Sequence, residues 1–378
     1  MKIVLAAPIF FPDVGGPATH VYKIAEFLAQ KNNTVTVISY GDKKEDTVLP
    51  FEVIRISRSY FKPIRWIRYA CAVIGKSFSA DIIYAFDLTA AGLPAASAAW
   101  IFRKPFFLRI GGDPIWERVV ENHKRFLPLN DYYNQKLHMV DAPRLYRVIM
   151  WVVQQADVIV TYNQSFQDFY CRYFGAQRSR MHIIKNPVFP RERVIQHKLP
   201  AEPVILFAGR FVSYKNLELV IRGIGEVYKV RPVKLLLVGA GPDESSLKKY
   251  VEDQHLSLVV EFRPSLPQSE LFELIVSSAV SIGPAISEFN PNFILESLSF
   301  GKPVLLARDN GLSVRLPDYL LFNPLDQKDF EHKILDLLSP DKYVQAVEAV
   351  SGLDLNQSWE TVLEAHYALI QKDLNQKP

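Results

Sequence analysis

Two glutamates stand eight residues apart in the stretch Ser287-Glu288-Phe289-Asn290-Pro291-Asn292-Phe293-Ile294-Leu295-Glu296. Pro291 suits the first turn of a helix, which places Glu296 early in a segment whose Ile294, Leu295, Leu298 and Phe300 are apolar. A carboxylate among such neighbours requires hydroxyl or N–H partners, and a ligand's hydroxyls would serve; the alternative is an ordinary surface glutamate. Upstream, Gly209-Arg210-Phe211-Val212-Ser213-Tyr214-Lys215 follows an apolar run and precedes a helical pattern. Two cations between a strand and a helix suit a diphosphate, or they are solvated charges flanking a loop. Near the start of the chain, Gly15-Gly16 lies between a short apolar run and the helical pattern from Ala18 to Lys31. Glycines there let a ligand approach the backbone and meet helix N-terminal amides, or they serve the turn alone. A dinucleotide fingerprint of the G-x-G-x-x-G type is absent.

The elements that must position these residues are legible as alternation. Short strand-like runs at 2–6, 34–39, 52–56, 81–85, 106–110 and 157–161 are separated by amphipathic stretches, a pattern that predicts a parallel sheet. A Pro-, Arg- and Lys-rich stretch at 188–203 reads as a linker. The rhythm then restarts with runs at 204–208, 233–239, 258–262, 280–284 and 303–307, and with helical patterns at 216–230 and 268–277. The expected division is a first domain over 1–187 and a second over 188–355. A C-terminal helix within 356–378, with Trp359, Leu363, His366, Ala368 and Ile370 toward one face, is expected to pack back on the first domain. Ligands of such open sheets are expected at the carboxyl ends of the strands, in a cleft between the two domains.

Composition excludes several classes. At 378 residues the chain has room for two cores, and Lys+Arg 44 against Asp+Glu 40 leaves too small a net charge for a field that would favour nucleic acid. Cys71 and Cys171 are 100 residues apart without a C-x-x-C pair, which offers neither a zinc site nor a disulfide scaffold and fits a reducing compartment. The N-terminal apolar run is too short for a signal-peptide core, and the apolar stretch Leu88 to Phe102 contains Pro94 and is too short to span a bilayer. A cytoplasmic protein, at most peripheral to the inner face of a membrane, is the expectation.

The whole chain then resembles a retaining glycosyltransferase of family 4 with the GT-B fold, an α/β architecture of two doubly wound Rossmann-like domains facing a central cleft. The resemblance rests on the Gly15-Gly16 turn, IIKNPV at 183–188, GRFVSYK at 209–215, LLLVGAGP at 235–242, the spacing from Glu288 to Glu296, GKPV at 301–304 and SWE at 358–360. It implies that Arg210 and Lys215 hold the donor pyrophosphate, that Glu296 bonds the ribose hydroxyls, that Glu288 lies beside the transferred sugar, and that Gly15, Gly16, Asn292 and Phe293 complete the donor site. Two departures stand out. Where the family has Gly-Phe-Gly after the first glutamate, this chain has Phe289-Asn290-Pro291; where many members place a histidine, it reads Gly111-Gly112-Asp113-Pro114. Asp113 is the nearest polar group, able to bond a sugar hydroxyl or to cap a loop or helix.

The implied reaction moves a sugar from a nucleotide-diphosphate donor to an acceptor hydroxyl on a glycan or lipid-linked molecule, without a metal or other cofactor. A sugar-nucleotide epimerase and a non-catalytic sugar-nucleotide binding protein are the rival readings. Finally, Val53 to Ala80 holds six basic residues, Arg55, Arg58, Lys62, Arg65, Arg68 and Lys76, interleaved with aromatics and without one acid. The segment 55–78 thus suits either contact with an anionic membrane or a half-buried helix with a solvated basic edge.

Overall fold

A computed structural model describes residues 1–13, 15–42, 48–188, 198–355 and 357–376. Most of the expected linker, residues 189–197, lies outside the described residues. The chain forms two compact units. The first comprises Met1–Ile115, Tyr133–Lys185 and Trp359–Pro378; the second comprises Trp116–Tyr132 and Asn186–Ser358. This differs from a single division at 187, because residues 116–132 pack with the second unit through contacts that no local pattern announces.

The first unit holds a seven-stranded sheet: β1 (Lys2–Ala6), β2 (Thr34–Tyr40), β3 (Glu52–Ile56), β4 (Ile82–Ala85), β5 (Phe106–Arg109), β6 (Val158–Thr161) and β7 (Met181–Ile183), in the order β3-β2-β1-β4-β5-β6-β7. The second holds six: β8 (Val204–Ala208), β9 (Lys234–Val238), β10 (Val260–Arg263), β11 (Val280–Gly283), β12 (Val304–Ala307) and β13 (Leu321–Phe322), in the order β10-β9-β8-β11-β12-β13. Neighbouring strands are parallel throughout, with registers such as Leu5 opposite Val37 and Ile205 opposite Leu235. The β-branched runs are therefore nearly continuous because both faces are buried. The edge strands β7 and β13 escaped the sequence reading. Each is too short to show a run, and each is held by pairing with one neighbour.

Helix α1 (Gly16–Gln30) buries Val21, Ile24, Ala25 and Leu28, the i, i+3, i+4, i+7 stripe that an amphipathic helix turns toward a sheet. Val21, Ile24 and Leu28 each contribute about 1.5–3 kcal/mol when fully buried. The helix Trp359–Gln376 belongs to the same unit. Its Val362, Leu363 and Ile370 join the core containing β1, and Lys31, the residue that caps the end of α1, bridges Glu364 at 2.8 Å. Ala368 does not share the expected face: at about 100° per residue it lies about 200° from both His366 and Ile370, and it is exposed. This helix also carries His366, whose Nδ1 lies 2.9 Å from the Tyr84 hydroxyl, while Trp359 lies against the His20 ring at 4.8 Å.

Burial holds both His20 and His366 well below the usual histidine range, and the Arg109 guanidinium lowers them further. Both rings are therefore neutral in the native state. The unfolded chain takes up protons that the native state lacks, so stability falls as pH drops below the ordinary histidine pKa of about 6.5, by up to roughly 1.4 kcal/mol per pH unit for each ring. Denaturant unfolding between pH 8 and pH 5 should show this slope, and His366→Phe should lessen it. An unchanged slope in the variant would contradict the assignment.

Candidate functional site

In both sheets the strand order reverses beside the first strand of the unit, between β1 and β4 in one and between β8 and β11 in the other. Connections leaving the carboxyl ends of those strands diverge to opposite faces, and the crevice left behind is where open α/β sheets take ligands. The residues singled out by chemistry fall at these points. Gly15 and Gly16 follow β1, Arg210 and Lys215 follow β8, and Glu288 follows β11.

Gly15 caps α1 at φ +149°, a conformation that L side chains rarely adopt, and Pro17 sets the first turn. After β8 the chain makes a similar close passage. Phe211 is fully buried, while Arg210 before it is exposed and Lys215 after it is partly buried. The Gly209 and Phe211 amides bond the carbonyls of Val238 and Ala240, so the loop after β8 lies backbone to backbone on the loop after β9. A Cβ on Gly239 would stand 1.9 Å from the Gly209 carbonyl oxygen, a collision between two backbones that neither can relieve. The GAGP sequence therefore supports the cation-bearing loop from beneath.

Lys215 and Glu288 form an ion pair with both side chains mostly buried. The pair brings β8 and β11 chemistry together. Tyr214 underlies it: the Lys215 ammonium lies 5.2 Å from that ring's centroid, and the Tyr214 carbonyl accepts from the Ile286 amide at 2.9 Å. Burial, with Glu117 and Glu288 nearby, pushes the Tyr214 phenol far up, so it stays protonated. Arg210 is two-thirds exposed and lies 3.6 Å from Glu121, a carboxylate contributed by the 116–132 segment.

The Phe289-Asn290-Pro291 departure acquires a physical meaning here. Phe289 is buried with its ring edge-on to Trp116 at 5.9 Å, and Trp116, itself fully buried, also contacts Tyr214 at 5.5 Å and donates to the Leu127 carbonyl. The Glu288 amide bonds the Asp309 carbonyl. The Ser287 hydroxyl donates to Asp309 and accepts from the Leu129 amide. Burial raises the Asp309 pKa, with Asp131 and Glu288 adding to the rise against the opposing Ser287 bond. Glu288 is thus fixed by anchors on both sides, a rigid loop in place of a glycine-rich one.

Helix Asn292–Ser299 begins with Pro291 at its cap. Asn292 is exposed and accepts from Asn186 and Asn290, while Phe293 is half-buried beside Phe207. Glu296 is half-buried and accepts from the Gln268 amide at 2.9 Å, so the neutral donor it needs is present. Asp113 behaves differently. It is fully buried in the first unit and accepts from the Tyr133 hydroxyl at 2.8 Å, immediately before the helix Pro114–Glu121. Of the two roles open to it, holding the fold is the one this geometry fits. Trp116, Glu121 and Asp309 were not singled out from sequence, and no motif would have found them, because each acts through a contact distant in the chain; Tyr214 lies within the 209–215 motif, but its place beside Trp116 was not legible there. Among the described residues no group of three or more His, Cys, Asp or Glu side chains converges as a metal site requires.

Comparison with known proteins agrees with this layout. The family model described as Glycosyltransferase Family 4 matches residues 14–192, and that described as Glycosyl transferases group 1 matches residues 188–349. A D-inositol 3-phosphate glycosyltransferase of Acidothermus cellulolyticus is 26% identical over 236 residues, which cover 56% of this chain and 52% of that protein. The chain thus spans about half the length of the first curated relatives it matches. An alpha-monoglucosyldiacylglycerol synthase of Streptococcus pneumoniae is 22% identical over 324 residues, covering 81% of this chain and 70% of that one. Among solved structures, Anabaena Alr3699/HepE in complex with UDP and glucose superposes with a TM-score of 0.74 at 15% identity, covering 98% of this chain and 100% of the other. That likeness bears out the expected fold class, GT-B, with its two parallel-sheet Rossmann-like units. Matched from residue 14 to residue 349 by the two family models together, the chain belongs to glycosyltransferase family 4.

Proposed function

We propose that this chain is a retaining glycosyltransferase that moves a sugar from a nucleotide-diphosphate donor to an acceptor hydroxyl, in the assembly of cell-surface glycans or glycolipids. The observation that carries the reading is the meeting of Lys215 and Glu288 at the switch point of the second sheet, with Arg210 on the same loop. Breaking the C1–O bond leaves negative charge on the β-phosphate. Arg210 and Lys215 stabilise that charge as it develops, which is the electrostatic part of catalysis. In the ligand-free fold Lys215 is neutralised by Glu288. A diphosphate carries more charge than one carboxylate and displaces it, which frees Glu288 to bond hydroxyls of the sugar. Glu296 exchanges its Gln268 bond for the ribose hydroxyls, and Asn292 and Phe293 line the same helix end.

Retention follows from attack of the acceptor hydroxyl on the face from which the phosphate departs, the acceptor proton passing to the leaving phosphate oxygen. These residues complete the reaction without a protein nucleophile or a bound metal. Gly15 and Gly16 offer a second anion-binding feature at the switch point of the first sheet. The likeness to proteins named D-inositol 3-phosphate glycosyltransferase and alpha-monoglucosyldiacylglycerol synthase supports a hydroxyl acceptor that is soluble or lipid-linked. For the latter, peripheral contact of 55–78 with the inner face of a membrane would bring enzyme and acceptor together.

Arg210→Ala and Lys215→Ala should each weaken binding of UDP or another nucleoside diphosphate by roughly tenfold or more, since a charge-assisted bond is worth about 1.5–3 kcal/mol. Calorimetric titration reads this directly, and unchanged diphosphate affinity in both variants would remove the assignment. Glu296→Gln should weaken a ribonucleotide donor while leaving inorganic pyrophosphate, which lacks the ribose, unaffected; equal loss of both ligands would count against a ribose contact. Release of sugar from donor in the presence of an acceptor mixture, with the anomeric configuration kept, separates transfer from epimerisation and from binding alone.

A further inference from the structure

Helix α2 (Lys62–Ser77) is amphipathic in an inverted sense. Its inward side buries Tyr69, Val73 and Ser77, and the Tyr69 hydroxyl bonds the carbonyls of Ala7 and Ile38. The opposite side, which a solvated helix would make polar, carries Ile64, Ile67, Cys71 and Ile74 at spacings of three and four residues, one above the other on a single face. Phe61 before the helix and Phe78 after it extend this apolar stripe at both ends, and each is more than two-thirds exposed.

Beside α2 packs α3 (Gly92–Phe102), which carries no charged residue. Leu93, Trp100 and Ile101 are exposed on one of its faces, and Phe78 meets Phe102 edge to face at 5.6 Å, which joins the two helices at their carboxyl ends. The sequence reading stopped at residue 78. The fold adds a second helix to the same apolar surface.

Charge is distributed to match. No acidic residue occurs from Val53 to Ala80 or from Gly92 to Lys104. Lys62 lies over the Trp66 ring at 5.1 Å and Arg68 over the Tyr60 ring at 4.4 Å, so both cations stay against exposed aromatic rings of the same segment. Exposed aromatics and isoleucines flanked by cations, with no acid among them, complement a surface that is apolar beneath a layer of anionic phosphate. A protein partner or a second copy of this chain would have to present a comparably uniform negative rim.

We infer that the joined outer faces of α2 and α3 form a docking surface for an anionic lipid bilayer, with Ile67, Phe78 and Trp100 entering the headgroup boundary and Lys62 and Arg68 bonding lipid phosphates. This deepens the membrane part of the proposed function, but it is tested with neither donor nor acceptor present. Its failure would leave the transferase reading standing, and the reverse holds as well.

The full chain is sedimented with vesicles of phosphatidylglycerol and phosphatidylcholine, and with phosphatidylcholine alone. Binding should require the anionic lipid and fall with salt. Ile67→Ser combined with Trp100→Ser should weaken it by roughly tenfold or more, and Lys62→Gln combined with Arg68→Gln should remove most of its preference for anionic lipid. Both double variants replace exposed side chains and should keep the unfolding midpoint and the UDP affinity of the parent, which guards against a folding artefact. Equal binding to neutral vesicles, absence of binding, or full binding by the serine variant would overturn the inference. Dimerisation at micromolar concentration that the serine variant abolishes would do the same, since the face would then be covered by a second copy.

Discussion

All the strands of both sheets run in one direction within their sheet, and the placement of chemistry depends on that constraint. A parallel sheet must be covered by helices on both faces, because every crossover returns over one face or the other. Side chains along β1 or β8 are then buried and unavailable to ligands, as Leu5 and Leu206 illustrate. Only the strand ends remain open, and among them the carboxyl ends at the reversal of strand order leave a crevice. Gly15 and Gly16 beside β1, and Arg210, Lys215 and Glu288 beside β8 and β11, stand where the topology leaves room for a ligand.

Electrostatics acts within that frame. Lys215 and Glu288 are both largely buried, and each would be costly to leave without the other in the absence of ligand. Their pairing keeps the empty site compatible with a folded chain and supplies the charge that a diphosphate later claims. The neighbouring polar groups follow the same logic. Asp309 is biased toward protonation by burial, then by Asp131 and Glu288, and it accepts the Ser287 hydroxyl. Trp116, Tyr214 and Phe289 pack their rings against one another at the base of the loop. The segment 116–132, contributed from between β5 and β6, is therefore part of the architecture that holds the cation-bearing loop and the Glu288 loop in place.

Much of the fold was legible because burial on two faces writes itself into sequence as unbroken β-branched runs. The runs at 2–6, 52–56 and 204–208 coincide with β1, β3 and β8. The short edge strands β7 and β13 were not legible, since a strand of two or three residues is defined by its neighbour rather than by its own pattern. That Arg210, Lys215 and Glu288 follow strands was readable because each comes after an apolar run; that Lys215 and Glu288 pair was not. Asp113 was readable only as a choice between two roles, and the Tyr133 hydroxyl that occupies its carboxylate comes from 20 residues away. The outer face of α2 was read as basic and aromatic. That its outward side is an isoleucine stripe continued by Trp100 and Ile101 depends on which side of the helix meets the sheet.

By itself the sequence determined the class of fold, the repetition of one βα rhythm in two units, and the loops in which cations and carboxylates could meet a ligand. These properties are local: each follows from residue type and spacing within one strand, turn or helix. Tertiary structure alone decided that Lys215 is held by Glu288, that Glu121 stands by Arg210, that Phe289 is anchored on Trp116, and that residues 116–132 pack with the second unit. Those are contacts between segments far apart in the chain. Hydrophobic burial fixes which segments approach one another, and only after that approach can Coulomb attraction and hydrogen bonding select the partners, so no local pattern contains the answer.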